Sequence, residues 1–143
     1  MPPTPPPTPL TIDHTVQARL IARPGSRPVP ATLRYDSSDP LALRIVFPAE
    51  AALDGAEVTW LFARALLDEA LRGPAGLGDV RFWPSRPGRT VLELKAPEGT
   101  ALVELATEDL HRFLAATYAF VPAAEETNRL DLDGTLTALL GPV

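Results

Sequence analysis

The stretch Leu10-Thr11-Ile12-Asp13-His14-Thr15-Val16-Gln17-Ala18-Arg19-Leu20-Ile21-Ala22 decides the fold class of this chain. Leu10, Ile12, His14, Val16, Ala18, Leu20 and Ala22 fall at every second position, with Thr11, Asp13, Thr15, Gln17 and Arg19 between them. Side chains of an extended strand point alternately to opposite faces. Period two with one polar face therefore predicts a long, half-buried antiparallel strand. Pro24-Gly25-Ser26 breaks it.

Toward the C-terminus the same period returns. Leu33 and Tyr35 begin a second strand that ends at Asp36-Ser37-Ser38-Asp39-Pro40. Leu41, Leu43, Ile45 and Phe47 give a third, stopped at Pro48, and Val58, Trp60 and Phe62 a fourth after the loop at Asp54-Gly55. Short turns between consecutive strands predict a meander. The period then switches. Ala63, Leu66, Leu67, Ala70 and Leu71 make one helical stripe, with Arg64, Asp68 and Arg72 expected on its outer face, where i,i+4 charges can pair. Gly73-Pro74 supplies the stop.

The second half is a shorter version of the first. Val80 and Phe82, then Leu92 and Leu94, then Ala101, Val103 and Leu105 predict three strands, turned by Arg86-Pro87-Gly88-Arg89 and by Pro97-Glu98-Gly99. Thr107 is the expected N-cap of a helix whose first turn holds Glu108 and Asp109, favourable to the helix dipole. Its buried stripe is Leu110, Phe113, Leu114 and Thr117, and Pro122 ends it. A last short helix is expected over about residues 133–140, carrying Leu136, Leu139 and Leu140. Meanders followed by helices predict an α+β domain rather than a parallel α/β sheet.

N-terminal to the first strand, six of the first nine residues are proline, at 2, 3, 5, 6, 7 and 9. Proline fixes φ and lacks an amide donor, so residues 1–10 are expected to form an extended, disordered arm, with residues 11–143 as one domain. The arm also contains the PxxP spacing that docks in aromatic grooves.

Composition narrows the functional classes. The chain has 143 residues, 45% of them hydrophobic and 22% charged, which suits one ordinary globular domain. It has no cysteine, so disulfides, zinc thiolates and thiol nucleophiles are excluded, and a reducing compartment is expected. No apolar run approaches the roughly 20 residues of a membrane helix, and the proline arm lacks the form of a secretory signal. A cytoplasmic protein without integral membrane association is expected. The net charge of −5 opposes polyanions, and Lys95 is the single lysine among 13 basic residues.

Two motifs invite chemistry and fail in context. Asp131-Leu132-Asp133-Gly134-Thr135 matches the DxDGT string of haloacid dehalogenase phosphotransferases. Too little chain follows it to build the required sheet, and no hydrophobic strand precedes it to present the nucleophile. A helix N-terminus with Asp133 as cap is the better reading. Gly73, Gly76 and Gly78 follow a helix, whereas a dinucleotide fingerprint follows a strand, so they are expected to form a helix-to-strand turn. His14 lies on the apolar face of the first strand and His111 on the outer part of a helix. Neither joins a metal-ligand spacing or a Ser-His-Asp set, so no catalytic residue, metal or cofactor is expected.

The more informative group is Arg81, Trp83, Arg86 and Arg89. With Val80 and Phe82 turned to the core, Arg81 and Trp83 fall on the other face, and Arg86 and Arg89 flank a hairpin tip. A tryptophan among arginines is the composition of a protein-contact hot spot, and it also suits stacking on single-stranded nucleic acid. The alternative is that Trp83 is covered by a neighbouring element and the arginines only solubilise an edge.

The strings Pro28-Val29-Pro30-Ala31, Leu33-Arg34-Tyr35-Asp36, Asp39-Pro40 and Trp60-Leu61-Phe62-Ala63-Arg64 are joined by Gly78-Asp79-Val80-Arg81-Phe82-Trp83-Pro84, Pro97-Glu98-Gly99 and Leu130-Asp131-Leu132-Asp133. In this order and spacing, from about Thr11 to Leu140, they resemble the SsgA-like family of actinobacterial regulators of sporulation-specific cell division. The resemblance is closest to the SsgB-like kind, with departures over residues 49–57 and at Lys95-Ala96. It implies two antiparallel sheets with packed helices, similar to Whirly-type single-stranded nucleic-acid-binding proteins, and assembly as trimers. It further implies a non-enzymatic protein without cofactor that acts at the division septum. Its implied partners are the tubulin-like GTPase FtsZ and other family members. The rival expectation, from the Whirly likeness, is a single-stranded nucleic-acid binder, which the acidic charge disfavours.

Overall fold

Alternation of apolar and polar side chains draws seven segments of the chain into strands. The structure is a computed structural model that describes residues 10–21, 25–51, 55–76 and 78–126. Its strands are β1 (Thr11–Ile21), β2 (Arg27–Asp36), β3 (Ala42–Phe47), β4 (Val58–Ala63), β5 (Val80–Arg86), β6 (Arg89–Ala96) and β7 (Gly99–Ala106). Helix α1 (Arg64–Ala70) connects β4 to β5, and α2 (Thr107–Phe120) follows β7 directly. The expected succession of four strands, a helix, three strands and a helix is observed, in an α+β fold. The proline arm through Pro9, the DxDGT string and the last expected helix lie outside the described residues.

All pairings are antiparallel, and the strands form one sheet in the order β4-β3-β2-β1-β7-β6-β5. Two sheets were expected. The difference lies at β1, which pairs with β2 from Thr11 to Leu20 and, among the described residues, with β7 over Arg19–Ile21. The end of this long strand therefore joins two lobes in one sheet, the described part of the seam being Arg19–Ile21. Strand twist accumulates across the sheet and curls it. The rings of Phe62 and Phe82, on the two outermost strands, meet with centroids 5.4 Å apart at 65°. The edges thus face each other across the core.

The inner face carries that core. Leu33, Tyr35, Leu43, Ile45, Phe82, Leu92 and Leu105 are buried there, and α2 lays Leu110, Phe113, Leu114 and Thr117 against them, the stripe its sequence predicts. Each such large apolar side chain contributes about 1.5–3 kcal/mol by leaving water. His14 is an inner-face residue packed edge-on against Phe113 at 5.3 Å, while His111 is exposed on α2.

Three local expectations are corrected. Strand β2 begins at Arg27 rather than Leu33, with Pro28 and Pro30 inside it. Proline is tolerated there because β3 pairs with β2 only over Thr32–Arg34, so no strand awaits the missing donors on that side. Thr107 is the first residue of α2, not its cap, and Ala106 takes the cap position. The Thr107 hydroxyl instead lies 2.8 Å from that of Thr90, and its amide donates to the Gly88 carbonyl at 3.0 Å, tying the β5–β6 hairpin to the helix. Arg64, expected on the outer face of α1, is fully buried. Its guanidinium carbon lies 4.2 Å from the Tyr118 ring centre and 5.0 Å from that of Tyr35. Nη1 donates to the carbonyls of Thr117 and Val121, at 3.1 and 2.8 Å, and Glu126 closes the set as ion-pair partner. The expected Asp68–Arg72 pair forms, at 3.3 Å.

The glycine cluster is a helix-to-strand turn, as expected. Gly76 has φ +111°, and a Cβ there would stand 2.8 Å from the Arg81 Cα. Only glycine fits that approach. Ala75 and Phe82 bridge across it, which fixes where β5 begins and so where its outward residues point.

Candidate functional site: the outer face of the second lobe

Strand alternation sets the orientation of β5. Phe82 is buried inward, so Arg81 and Trp83 share the outer face, Arg81 exposed and Trp83 half-buried. At the tip Arg86 and Arg89 oppose each other. A register irregularity between Pro84 and Arg86 lets two consecutive residues reach the outer face. Ser85 Oγ donates to Glu104 Oε2 at 3.2 Å and Arg86 Nη2 to Glu104 Oε1 at 3.0 Å. All four residues singled out from the sequence belong to this lobe.

Cross-strand register adds partners from far along the chain. Trp83 opposes Val91, Val91 opposes Glu104, Glu104 opposes Arg19 and Arg19 opposes Pro28. Directly opposed residues share a sheet face. One row therefore runs over five strands and crosses the β1–β7 seam. Val91 is only 4% exposed although it faces outward. Beside it a second row sets Arg81 against Glu93, with Nη1 3.7 Å from Oε1. That oxygen is buried and accepts no hydrogen bond.

Charge is unevenly satisfied on this face. Arg81 and Arg86 face Glu93 and Glu104, whereas among the described residues Arg19 and Arg89 have no carboxylate partner. Arg19 donates to Ser26 Oγ at 3.2 Å. Burial pushes the Glu104 carboxyl up, but Arg86, Ser85 and the nearby Arg89 outweigh it, and the group sits below its ordinary range. Arg19, Arg86, Arg89 and Glu104, with Gln17 and Pro28, line a partly open cavity of about 190 Å³. Two open grooves flank it. One, of about 390 Å³, lies between the end of α1 and the hairpin tip, and another, of about 450 Å³, lies beside Trp83 and Arg81. Among the described residues no cluster of His, Asp and Glu is placed to hold a metal.

Sequence reasoning missed Arg19, Val91 and Glu104 as members of this face. The signal was present only as alternation, since each is the outward residue of a strand; their meeting depends on register.

Fold and face together define a small α+β scaffold that offers a charged, tryptophan-bearing surface rather than a deep cleft. The chain belongs to the SsgA family, described as Streptomyces sporulation and cell division protein, whose family model matches residues 29–126. It is 43% identical over 136 residues to the sporulation-specific cell division protein SsgB of Salinispora tropica, covering 92% of this chain and 94% of that one. The SsgB of Streptomyces coelicolor is also 43% identical over 136 residues, with 91% and 96% covered. An SsgB structure solved in connection with mutations that correlate with longitudinal cell division in Streptomyces coelicolor superimposes with TM-score 0.75 at 40% identity. It covers 85% of this chain and 96% of its own. The crystal structure of an SsgA-like sporulation-specific cell division protein from Thermobifida fusca gives TM-score 0.76 at 34% identity, with 92% and 96% covered.

Proposed function

We propose that this protein is a non-enzymatic adaptor of sporulation septation that recruits or positions FtsZ at the division site, working as a homo-oligomer, a trimer by family resemblance. The relatives are sporulation-specific cell division proteins, which supports the process. The observation that carries the contact mechanism is the outer-face row from Trp83 to Pro28, a tryptophan-anchored surface on a rigid sheet. Among the described residues no helix is long and apolar enough to cross a membrane.

Co-sedimentation with polymerised FtsZ tests this reading. The full chain is expected to pellet with the polymer and to stay in the supernatant without it. Absence from the FtsZ pellet, together with tight and salt-sensitive binding to single-stranded DNA, sinks it in favour of the Whirly-like nucleic-acid binder.

A further inference from the structure

The cavity between Arg19, Arg86 and Arg89 has an electrostatic imbalance that the fold itself does not require. Three guanidiniums face one carboxylate, Glu104, and that carboxylate is engaged by Arg86 and Ser85. Arg19 and Arg89 make no ion pair among the described residues, the charge of Glu104 nearby being taken up by its bonds to Arg86 and Ser85, and both come from exposed positions. Planar guanidinium forks match carboxylates bidentately. A volume of about 190 Å³ accommodates a side-chain head. Along the same row, beyond buried Val91, lies half-buried Trp83, an apolar surface in register with the cavity.

We propose that this cavity is a carboxylate subsite for an extended acidic segment of a partner protein. Arg19 and Arg89 grip an Asp or Glu side chain, and an apolar neighbour of that side chain rests on Trp83. Glu104 is a positioning residue, since it holds Arg86 as the wall of the cavity. Charge complementarity selects this occupant. A segment with one or two carboxylates meets the local excess of two positive charges, whereas a nucleic acid carries a charge at every nucleotide against a protein of net charge −5. The assignment of the partner to the division machinery rests on the function proposed above; the subsite itself does not.

The test uses the full chain and a short fluorescein-labelled peptide of alternating glutamate and leucine, followed by fluorescence anisotropy at low salt. A glutamine-for-glutamate peptide and an oligothymidylate serve as comparison probes. The glutamate peptide is expected to bind, with affinity falling about tenfold in Arg89→Gln and in Arg19→Gln. Both substitutions are at exposed positions, and a thermal melt checks that the variants stay folded. Equal binding of the glutamine peptide, or unchanged affinity in both variants, overturns the subsite. So does oligothymidylate binding that depends on Arg89 and exceeds that of the peptide. FtsZ co-sedimentation is run in parallel. Peptide binding that needs Arg89, with no FtsZ in the pellet, upholds the subsite and removes the division partner. FtsZ pelleting without peptide binding does the reverse.

Discussion

Arg64 opens the first turn of α1, an unfavourable place for a cation beside a helix N-terminus, and is fully buried. Two aromatic faces, two carbonyls and Glu126 compensate, and they bring α1, α2 and residues 121–126 to one point. Removing one partner of a buried ion pair typically costs about 3–5 kcal/mol. Arg64→Leu is expected near the lower end, because Glu126 is partly exposed and can turn to water. Urea denaturation, read from the midpoint at unchanged slope, measures it. Arg64→Lys should not restore stability, since an ammonium lacks the planar group that gives Nη1 to both carbonyls while Nε and Nη2 face Glu126. Trp83 is the opposite case, a large side chain whose exposed part faces outward. Trp83→Ala is expected to weaken FtsZ co-sedimentation about tenfold or more while thermal unfolding stays cooperative. Loss of cooperativity in that variant would identify Trp83 as ordinary core.

Among elements, the β5–β6 hairpin and β7 carry the titratable part of the face. Glu104 on β7 sits below its ordinary range in the folded protein. A depressed carboxylate contributes stability that is present above the unfolded pKa and lost as pH falls through the folded one. Stability from Glu104 should therefore decline only in acid below about pH 4. Glu104→Gln is expected to flatten that part of the stability–pH curve, and melting temperatures over the acid range check it. These same elements show what was legible in advance. Val80, Phe82, Leu92, Leu94, Val103 and Leu105 alternate cleanly, so their strands could be read, and so could the stripe of α2. The start of β2 could not be, because Pro28 and Pro30 argue against a strand unless one side is known to be open. Arg64 was misplaced because a helical wheel shows one helix and not the C-terminal turn folded over it. The local half of the face, Arg81 to Arg89, was legible. Arg19 and Glu104 were not, since their meeting belongs to register and not to spacing.

At the scale of the molecule, the curl of the sheet brings the edge strands β4 and β5 toward each other through Phe62 and Phe82. Unpaired edges invite pairing between molecules, and opposing them across a packed core limits that hazard. Among the described residues the lobes meet within the sheet at Arg19–Ile21 and Leu102–Glu104, and the outer-face row crosses at that point. Among the described residues this ladder is three pairs long, as short as the β2–β3 ladder and shorter than the other four, so local opening should include it. Hydrogen exchange is expected to find residues 19–21 and 102–104 less protected than the centre of the β6–β7 ladder, despite their position mid-sheet. A partner lying along the row would act as a suture across the weak line and slow exchange at amides it never touches. The β1–β7 seam thereby converts docking on the surface into stiffness in the backbone, which a fluctuation measurement can read even where no shape change accompanies binding.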